Sequence, residues 1–291
     1  MATKAGRMLG RGVAYALVFL GAFGVSLWRS LPYDEIASAV ETRLQAQGLT
    51  LQVRGLGPGP WFGVRAESVK VEPPGLAVRV GVSGLEVWPS WARALRGRPA
   101  LRFRAAAAGG TVEGEVGSYG RVPLDLSWAD VALGQIPRPP PWKELPLAGQ
   151  TDGSLSVDGL RQSALEARGR LQASFTGVRI GPGKVRGVPV PAVGLGDGVL
   201  EATLEGGRAE VREARFRGGD LEVLLTGAAV DLRRPLGRSP IKGGLVSLTP
   251  NQKVQEDLAL LFALFPGSRS SDGRYTARIR GTLQAPRLLR R

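Results

Sequence analysis

The stretch VLEATLEGGRAEVREARF, Val199–Phe216, contains two short runs joined by Gly206-Gly207. A glycine pair supplies the positive φ angles of a two-residue hairpin turn, so the runs are expected to be paired antiparallel strands. In the first run Leu200, Ala202 and Leu204 stand at every second position, which places them on one face of a strand. The frame around them, G-x-Φ-x-Φ-x-Φ-x-G with Φ apolar, is written four times: GRLQASFTG from Gly169, GVLEATLEG from Gly198, GDLEVLLTG from Gly219 and GRYTARIRG from Gly273. Repeated strands with one apolar face predict a mainly β protein, built on a long curved antiparallel sheet with a few short packing helices.

Composition points the same way. The 42 glycines and 21 prolines cluster between short alternating runs, which suits many strands joined by turns and leaves helix a minority. At 291 residues and 43% hydrophobic, the chain can bury a real core as one large domain or two smaller ones. It contains no cysteine and no histidine. That excludes a Cys/His zinc site, an imidazole base, a Ser-His-Asp or Cys-His nucleophile and any disulfide. The acids Glu201, Glu205, Glu210 and Glu222 stand singly at polar strand positions, the pattern of a solvated face rather than of carboxylate catalysis. The reading is therefore of a non-enzyme without metal or cofactor.

The net charge of +14 raises nucleic-acid binding as a possibility, because a basic surface is the footprint of phosphate recognition. The distribution argues against it. Arginines come one at a time on polar strand positions, as at Arg274, Arg278 and Arg280, with no recognition helix and no aromatic RNA-binding signature.

Between Arg11 and Arg29 lies GVAYALVFLGAFGVSLW, Gly12–Trp28, an uncharged and mainly apolar run long enough to span a bilayer as a short helix. Lys4, Arg7 and Arg11 precede it and Arg29 alone follows closely. The positive-inside rule then makes 1–11 a cytoplasmic N-terminus, 12–28 a transmembrane anchor and 31–291 an exported β-rich body. A cleaved signal peptide shares the charged and apolar regions. The bulky LWRSLP that follows offers no A-x-A site, and the apolar run exceeds the usual signal length, both of which favour an uncleaved anchor.

After Pro32, Ile36, Ala39, Val40 and Leu44 fall in helical rows over Tyr33–Gln47, with Asp34 and Glu35 in the first turn and Gly48 as the stop. From there to Trp128 the runs LTLQVRG, GVRAESVKV, LAVRVGV into LEVW, ALRFRAAA, TVEGEVG and VPLDLSW read as strands. The apolar phase slips at Ser83-Gly84 and near Gly227, as β-bulges require. PSWARALRGRP, Pro89–Pro99, reads as one or two helical turns closing an end of the sheet. QIPRPPPWKELPLAG, Gln135–Gly149, is the place where the body would divide into two halves, since consecutive prolines favour extended chain and exclude a central ladder.

TPNQKVQEDLALLFALFP reads as a helix with Thr249 at the N-cap, Pro250 at N1 and Gln252 at N3, a capping box. Val254, Leu258, Leu261, Phe262 and Phe265 then form one apolar stripe and are the candidate functional residues. Burying each would stabilise by about 1.5–3 kcal/mol, too much apolar surface to leave in water. Two occupants are open: the sheet itself, or a partner or lipid.

The succession of an N-terminal anchor and helix, then GLTLQVRGLGPGPWFGVRAESVKVEPPG, then PSWARALRGRPALRFRAAAAGGTVEGEVG, and finally DGRYTARIRGTLQAPRL resembles the type II secretion system protein N family, in its longer myxobacterial-type form. The turn-strand frame and the closing G-T-L-x-x-P also resemble the wider AsmA-like group. The resemblance covers nearly the whole chain. It implies a bitopic inner-membrane subunit with its bulk in the periplasm, contacting other type II secretion subunits during export of folded proteins. The AsmA-like side of it implies a half-open groove and the alternative role of binding phospholipid or transferring it between membranes. No catalytic residue carries over from either.

Overall fold

The computed structural model describes residues 19, 22–46, 49–72, 79–117, 123–138, 145–159, 167–185, 188–233, 236–263, 265 and 267–289. The N-terminal part of the sheet contains β1 (Thr50–Arg54), β2 (Gly57–Pro58), β3 (Val64–Glu72), β4 (Val80–Pro89), β5 (Ala100–Ala107), β6 (Gly110–Gly117) and β7 (Leu124–Ala132). The long strands β8 (Leu147–Asp158) and β9 (Arg168–Ile180) follow, then a separate small ribbon of β10 (Gly183–Val185) and β11 (Val188–Val190). The main sheet resumes with β12 (Val193–Glu205), β13 (Arg208–Gly218), β14 (Leu221–Thr226), β15 (Ala228–Asp231), β16 (Pro240–Lys242) and β17 (Leu245–Pro250). It closes with β18 (Ser268–Arg269), β19 (Tyr275–Thr282) and β20 (Pro286–Leu289). The described helical segments are residues 22–29 of a first helix, α1, and then α2 (Tyr33–Gln45), α3 (Trp91–Ala94), α4 (Gln252–Asp257) and α5 (Ala259–Ala263).

All pairings among the described residues are antiparallel, and most join strands that are neighbours in sequence. β3 takes β1 and β2 on one edge and β4 on the other, and the ladder then runs strand by strand through β9, β12 and β13. β13 pairs with both β14 and β15, two pieces of one line broken at Gly227, where φ is +66°. β14 pairs with β17 and β15 with β16, both of which pair with β19, whose outer edge carries β18 and β20. The expected hairpin at Gly206-Gly207 is present, with φ of +59° and +73° and Glu205 opposite Arg208. The expected slip at Ser83-Gly84 is a bulge between β4 and β5, with Gly84 at φ +59°.

Register places the alternating residues in one continuous row. Val64, Val87, Phe103, Gly114, Leu126, Leu155, Leu171, Ala202, Val211 and Ala228 are successive cross-strand partners. The next residues along each strand fall on the opposite face, where Arg65, Glu86, Arg104 and Glu113 are partners in turn. Opposite charges directly across a ladder are favourable, each such exposed pair contributing up to about 1 kcal/mol. Thus the alternation read in the sequence becomes one apolar and one polar face.

The Pro-rich segment is a connection between adjacent strands, since β7 and β8 pair directly on either side of it; its residues 139–144 lie outside the described ones. PSWARALRGRP forms the expected turn as α3, closed by Ser90 N–H donating to the Ala100 carbonyl at 2.8 Å. Nearby, Trp61 and Phe62 both adopt left-handed backbone, at φ +56° and +60°. That conformation costs about 1–2 kcal/mol per residue without Cβ relief. The turn is pinned by Gly59 N–H to the Gly63 carbonyl at 2.8 Å. At Gly63 a Cβ would come within 2.2 Å of the Val87 carbonyl oxygen, so this close approach requires glycine.

α2 turns back on β1. Leu49 N–H donates to the Leu44 carbonyl at 3.0 Å and Val53 N–H donates to Glu41 Oε1 at 2.6 Å, so helix and strand run antiparallel. Tyr33 is buried, its hydroxyl donating to the Trp28 carbonyl at 2.6 Å, and burial pushes its phenol pKa up. The predicted stripe of α2 does not cover the sheet: Ile36, Ala39 and Val40 are exposed, and Leu44 is half-buried. A 13-residue helix tied to an edge strand has only a narrow contact side, and here Tyr33, Ala37 and Glu41 occupy it. Residues 1–11, most of the 12–28 anchor, and the stop at Gly48 lie outside the described residues. No helix among the described residues is long and apolar enough to cross a membrane.

Candidate functional site

The candidate stripe lies between β17 and β19 and folds back over the sheet. Its start is not where the sequence suggests. Thr249 and Pro250 belong to β17, paired with Glu222 and Leu221 of β14, and the N-cap is Asn251. The Asn251 side-chain oxygen accepts from Val254 N–H at 2.8 Å, the geometry that the capping box assigned to Thr249. Strand pairing wins because it satisfies the β17 backbone along its length, whereas a cap at Thr249 would satisfy a single donor.

Asp220, on the turn between β13 and β14, fixes this corner. Its Oδ2 accepts from Gly194 N–H at 2.9 Å and its Oδ1 accepts from Asn251 Nδ2 at 3.1 Å. Its backbone N–H donates to the Gly194 carbonyl at 2.7 Å and its carbonyl accepts from Asn251 N–H at 2.8 Å. One short side chain thereby ties the start of β12, the start of β14 and the helix N-terminus together. A sequence reading misses it because all its partners except the adjoining turn are distant in the chain, although Asn251 itself is a favoured N-cap type.

From Asn251 the helix runs as α4, bends at Leu258 and continues as α5. Leu258 sits at φ −110°, ψ 20°. The i to i−4 bonds around it survive, from Leu258 N–H to the Val254 carbonyl at 3.0 Å and from Phe262 N–H to the Leu258 carbonyl at 2.9 Å. Val254 and Leu258 are 3% and 9% exposed. They form one cluster with Leu133, Val178, Val193 and Leu195, and Phe175, Phe216, Val223 and Phe262 pack against it. Beyond the bend Phe262 stacks on Tyr275 of β19 with ring centroids 4.6 Å apart, and Phe265 meets the same ring edge-on at 6.2 Å. Arg269 lies 5.6 Å from the Tyr275 centroid on β18. Val254, Leu258 and Phe262 are thus brought together with the apolar face of β9, β12, β13 and β14, and Phe265 lies against β19. The side chain of Leu261 lies outside the described residues.

Elsewhere no helix among the described residues forms such a layer on the apolar face. Phe103, Leu126, Leu155 and Leu171 are half-buried, and Leu101 is exposed. On the opposite face a hollow of about 380 Å³ is lined by Trp88, Arg102, Glu113, Glu115, Asp125 and Ser156. Its charges have partners: Arg102 Nε is 3.1 Å from Glu115 Oε2, Arg104 binds Glu113, and Ser156 Oγ donates to Asp125 Oδ1 at 2.7 Å. No cluster of carboxylates suited to a metal ion occurs among the described residues. What the described residues present is an apolar face covered by α4 and α5 in one part and half-buried in another. Compared with known protein families, curated proteins and solved structures, the chain matches none.

Proposed function

We propose that the protein is an inner-membrane-anchored accessory subunit of a type II secretion system, its periplasmic sheet acting through contacts with other subunits rather than through chemistry. The observation that carries this reading is the burial of Val254 and Leu258 in the Val178, Val193, Leu195 cluster. The apolar helix is spent on the protein's own core, as a structural adaptor requires, and leaves no mobile apolar gate there. The sequence resemblance of the anchor, the N-terminal strand runs and the closing DGRYTARIRGTLQAPRL gives the apparatus its name.

A second reading, an AsmA-like protein that binds or carries phospholipid in a half-open groove, is favoured by the half-buried row Phe103, Leu126 and Leu155. Such a row could meet acyl chains or an apolar partner surface. One experiment separates them: a photo-crosslinking residue at Leu126 of the full chain, activated in living cells. Adducts with secretion-apparatus polypeptides, identified by mass spectrometry, are the expected product. Adducts carrying labelled lipid phosphate and no polypeptide would replace the adaptor reading by the lipid-binding one.

A further inference from the structure

We infer that the end of the sheet formed by the β2–β3 and β4–β5 turns is a membrane-docking tip, which inserts its aromatic side chains into the headgroup region of an anionic bilayer. Trp61 is 73% and Leu95 88% exposed, and Phe62 and Trp91 are exposed beside them. The Phe62 and Trp91 rings meet edge-on at 6.5 Å, so the two turns form one patch. Trp61 and Phe62 both take left-handed backbone in this turn and both remain exposed, the reverse of what burial asks of such residues.

The choice of occupant rests on three further observations. First, Arg96 and Arg98 follow Leu95, are exposed and make no ion pair among the described residues, so the patch couples apolar groups to positive charge. Tryptophan with arginine is the combination suited to a negatively charged headgroup layer. Second, α2 runs antiparallel to β1, which brings its N-terminus toward the β2 end of the sheet, the end that bears the tip. Third, the helix that leads into α2 ends there and is itself apolar and exposed: Phe19 and Phe23 stack with each other in the open, Leu27 is exposed, and Trp28 meets Tyr33 edge-on. A tip and a neighbouring apolar helix on one end of one sheet give the body two contacts with the same bilayer, which hold it at a fixed tilt. The inference holds under either functional reading above and depends only on the chain and lipid.

The absence of cysteine in the chain allows a clean test. Leu95→Cys in the full chain, labelled with an environment-sensitive fluorophore and reconstituted into phosphatidylcholine vesicles containing phosphatidylglycerol, should show blue-shifted emission. The label should be protected from iodide and quenched by lipid spin-labelled near the headgroup. A label at exposed Ser271→Cys should stay water-like, and adding Arg96→Glu with Arg98→Glu should return the Leu95→Cys label to water-like emission. Water-like emission of the Leu95→Cys label in these vesicles would overturn the inference. So would a blue shift that spin-labelled lipid does not quench, since that marks protein cover, or one indifferent to the charge reversal.

Discussion

The sheet can be compared with itself. From β9 to β19 its apolar face carries a second layer, α4 and α5, and there Val178, Val193, Leu195, Tyr275 and Ala277 are all buried. From β4 to β8 the same face, in the same register row, has α2 and α3 only at its edge and end, and Phe103, Leu126 and Leu155 remain half-buried. The buried apolar residues of these strands are few: Ala100, Ala105, Val131 and Val157. Alternation makes a face, but a face becomes a core only when another layer lies on it. Among the described residues, therefore, one region of the sheet has a complete second layer and the other does not.

The largest effect expected from this contrast is between two leucines. Leu258→Ala removes a buried side chain from the covered region and should cost about 2–5 kcal/mol, whereas Leu126→Ala in the open region should cost about 1 kcal/mol. Chemical denaturation of the purified full chain in detergent measures both. Equal losses would break the comparison, by showing that the open region is packed as tightly as the other.

A middling effect is expected at the corner that holds the second layer in place. Asp220→Ala leaves Gly194 N–H and Asn251 Nδ2 without acceptors and should destabilise by about 1–3 kcal/mol. Asn251→Ala, which removes only the cap and one tie, should cost about 1 kcal/mol. In hydrogen exchange Asp220→Ala should speed the amides of α4 while leaving those of β5 and β6 unchanged. Uniform acceleration across the sheet would mean that the layer is not a separable unit.

The smallest effect concerns Asp231 and Lys242, which bridge β15 and β16 at 2.5 Å. The Lys242 hydrogen bond, then its charge with those of Arg208 and Arg233, holds the Asp231 carboxyl below the ordinary carboxylate range. Because the folded pKa is lowered, the pair stabilises above the unfolded value of about 4, and the stabilisation is lost as pH falls through the lowered pKa. Lys242→Ala should thus lower Tm slightly at neutral pH, and the difference from the parent should vanish in acid. A difference that persists at pH 2 would assign the effect to packing.

Most of the sheet was legible because its signals are local. Gly206-Gly207 specifies its own turn, Ser83-Gly84 its own bulge, and Leu200, Ala202 and Leu204 their own face. The candidate site was legible in composition but not in geometry. Val254, Leu258, Phe262 and Phe265 announce an apolar stripe, yet its N-cap depends on whether Thr249 pairs with Glu222, some thirty residues away, and its bend on how Phe262 reaches Tyr275. The α2 stripe fails for a similar reason. Helical spacing shows that Ile36 and Val40 share a side, but the bond from Val53 to Glu41 decides which side meets β1. The roles of Trp61 and Phe62 were not visible at all, since left-handed backbone at aromatic residues follows from no pattern in the chain.

The ladder's order also has a consequence in time. Because β3 to β9 each pair with the strand made just before, a chain emerging N-terminus first finds the docking edge for this part already built. Such a sheet can grow by addition, without long loops to close, and its contacts favour rapid assembly. The α4–α5 segment reaches furthest back: it arrives after β17 yet packs on residues of β9 and β12. Until residue 258 has been delivered, Val178, Val193 and Leu195 lack the Val254 and Leu258 side of their cluster. The nascent protein consequently passes through a stage, late and brief, in which its stickiest surface is offered to whatever is near, and the last helix acts as its own built-in chaperone.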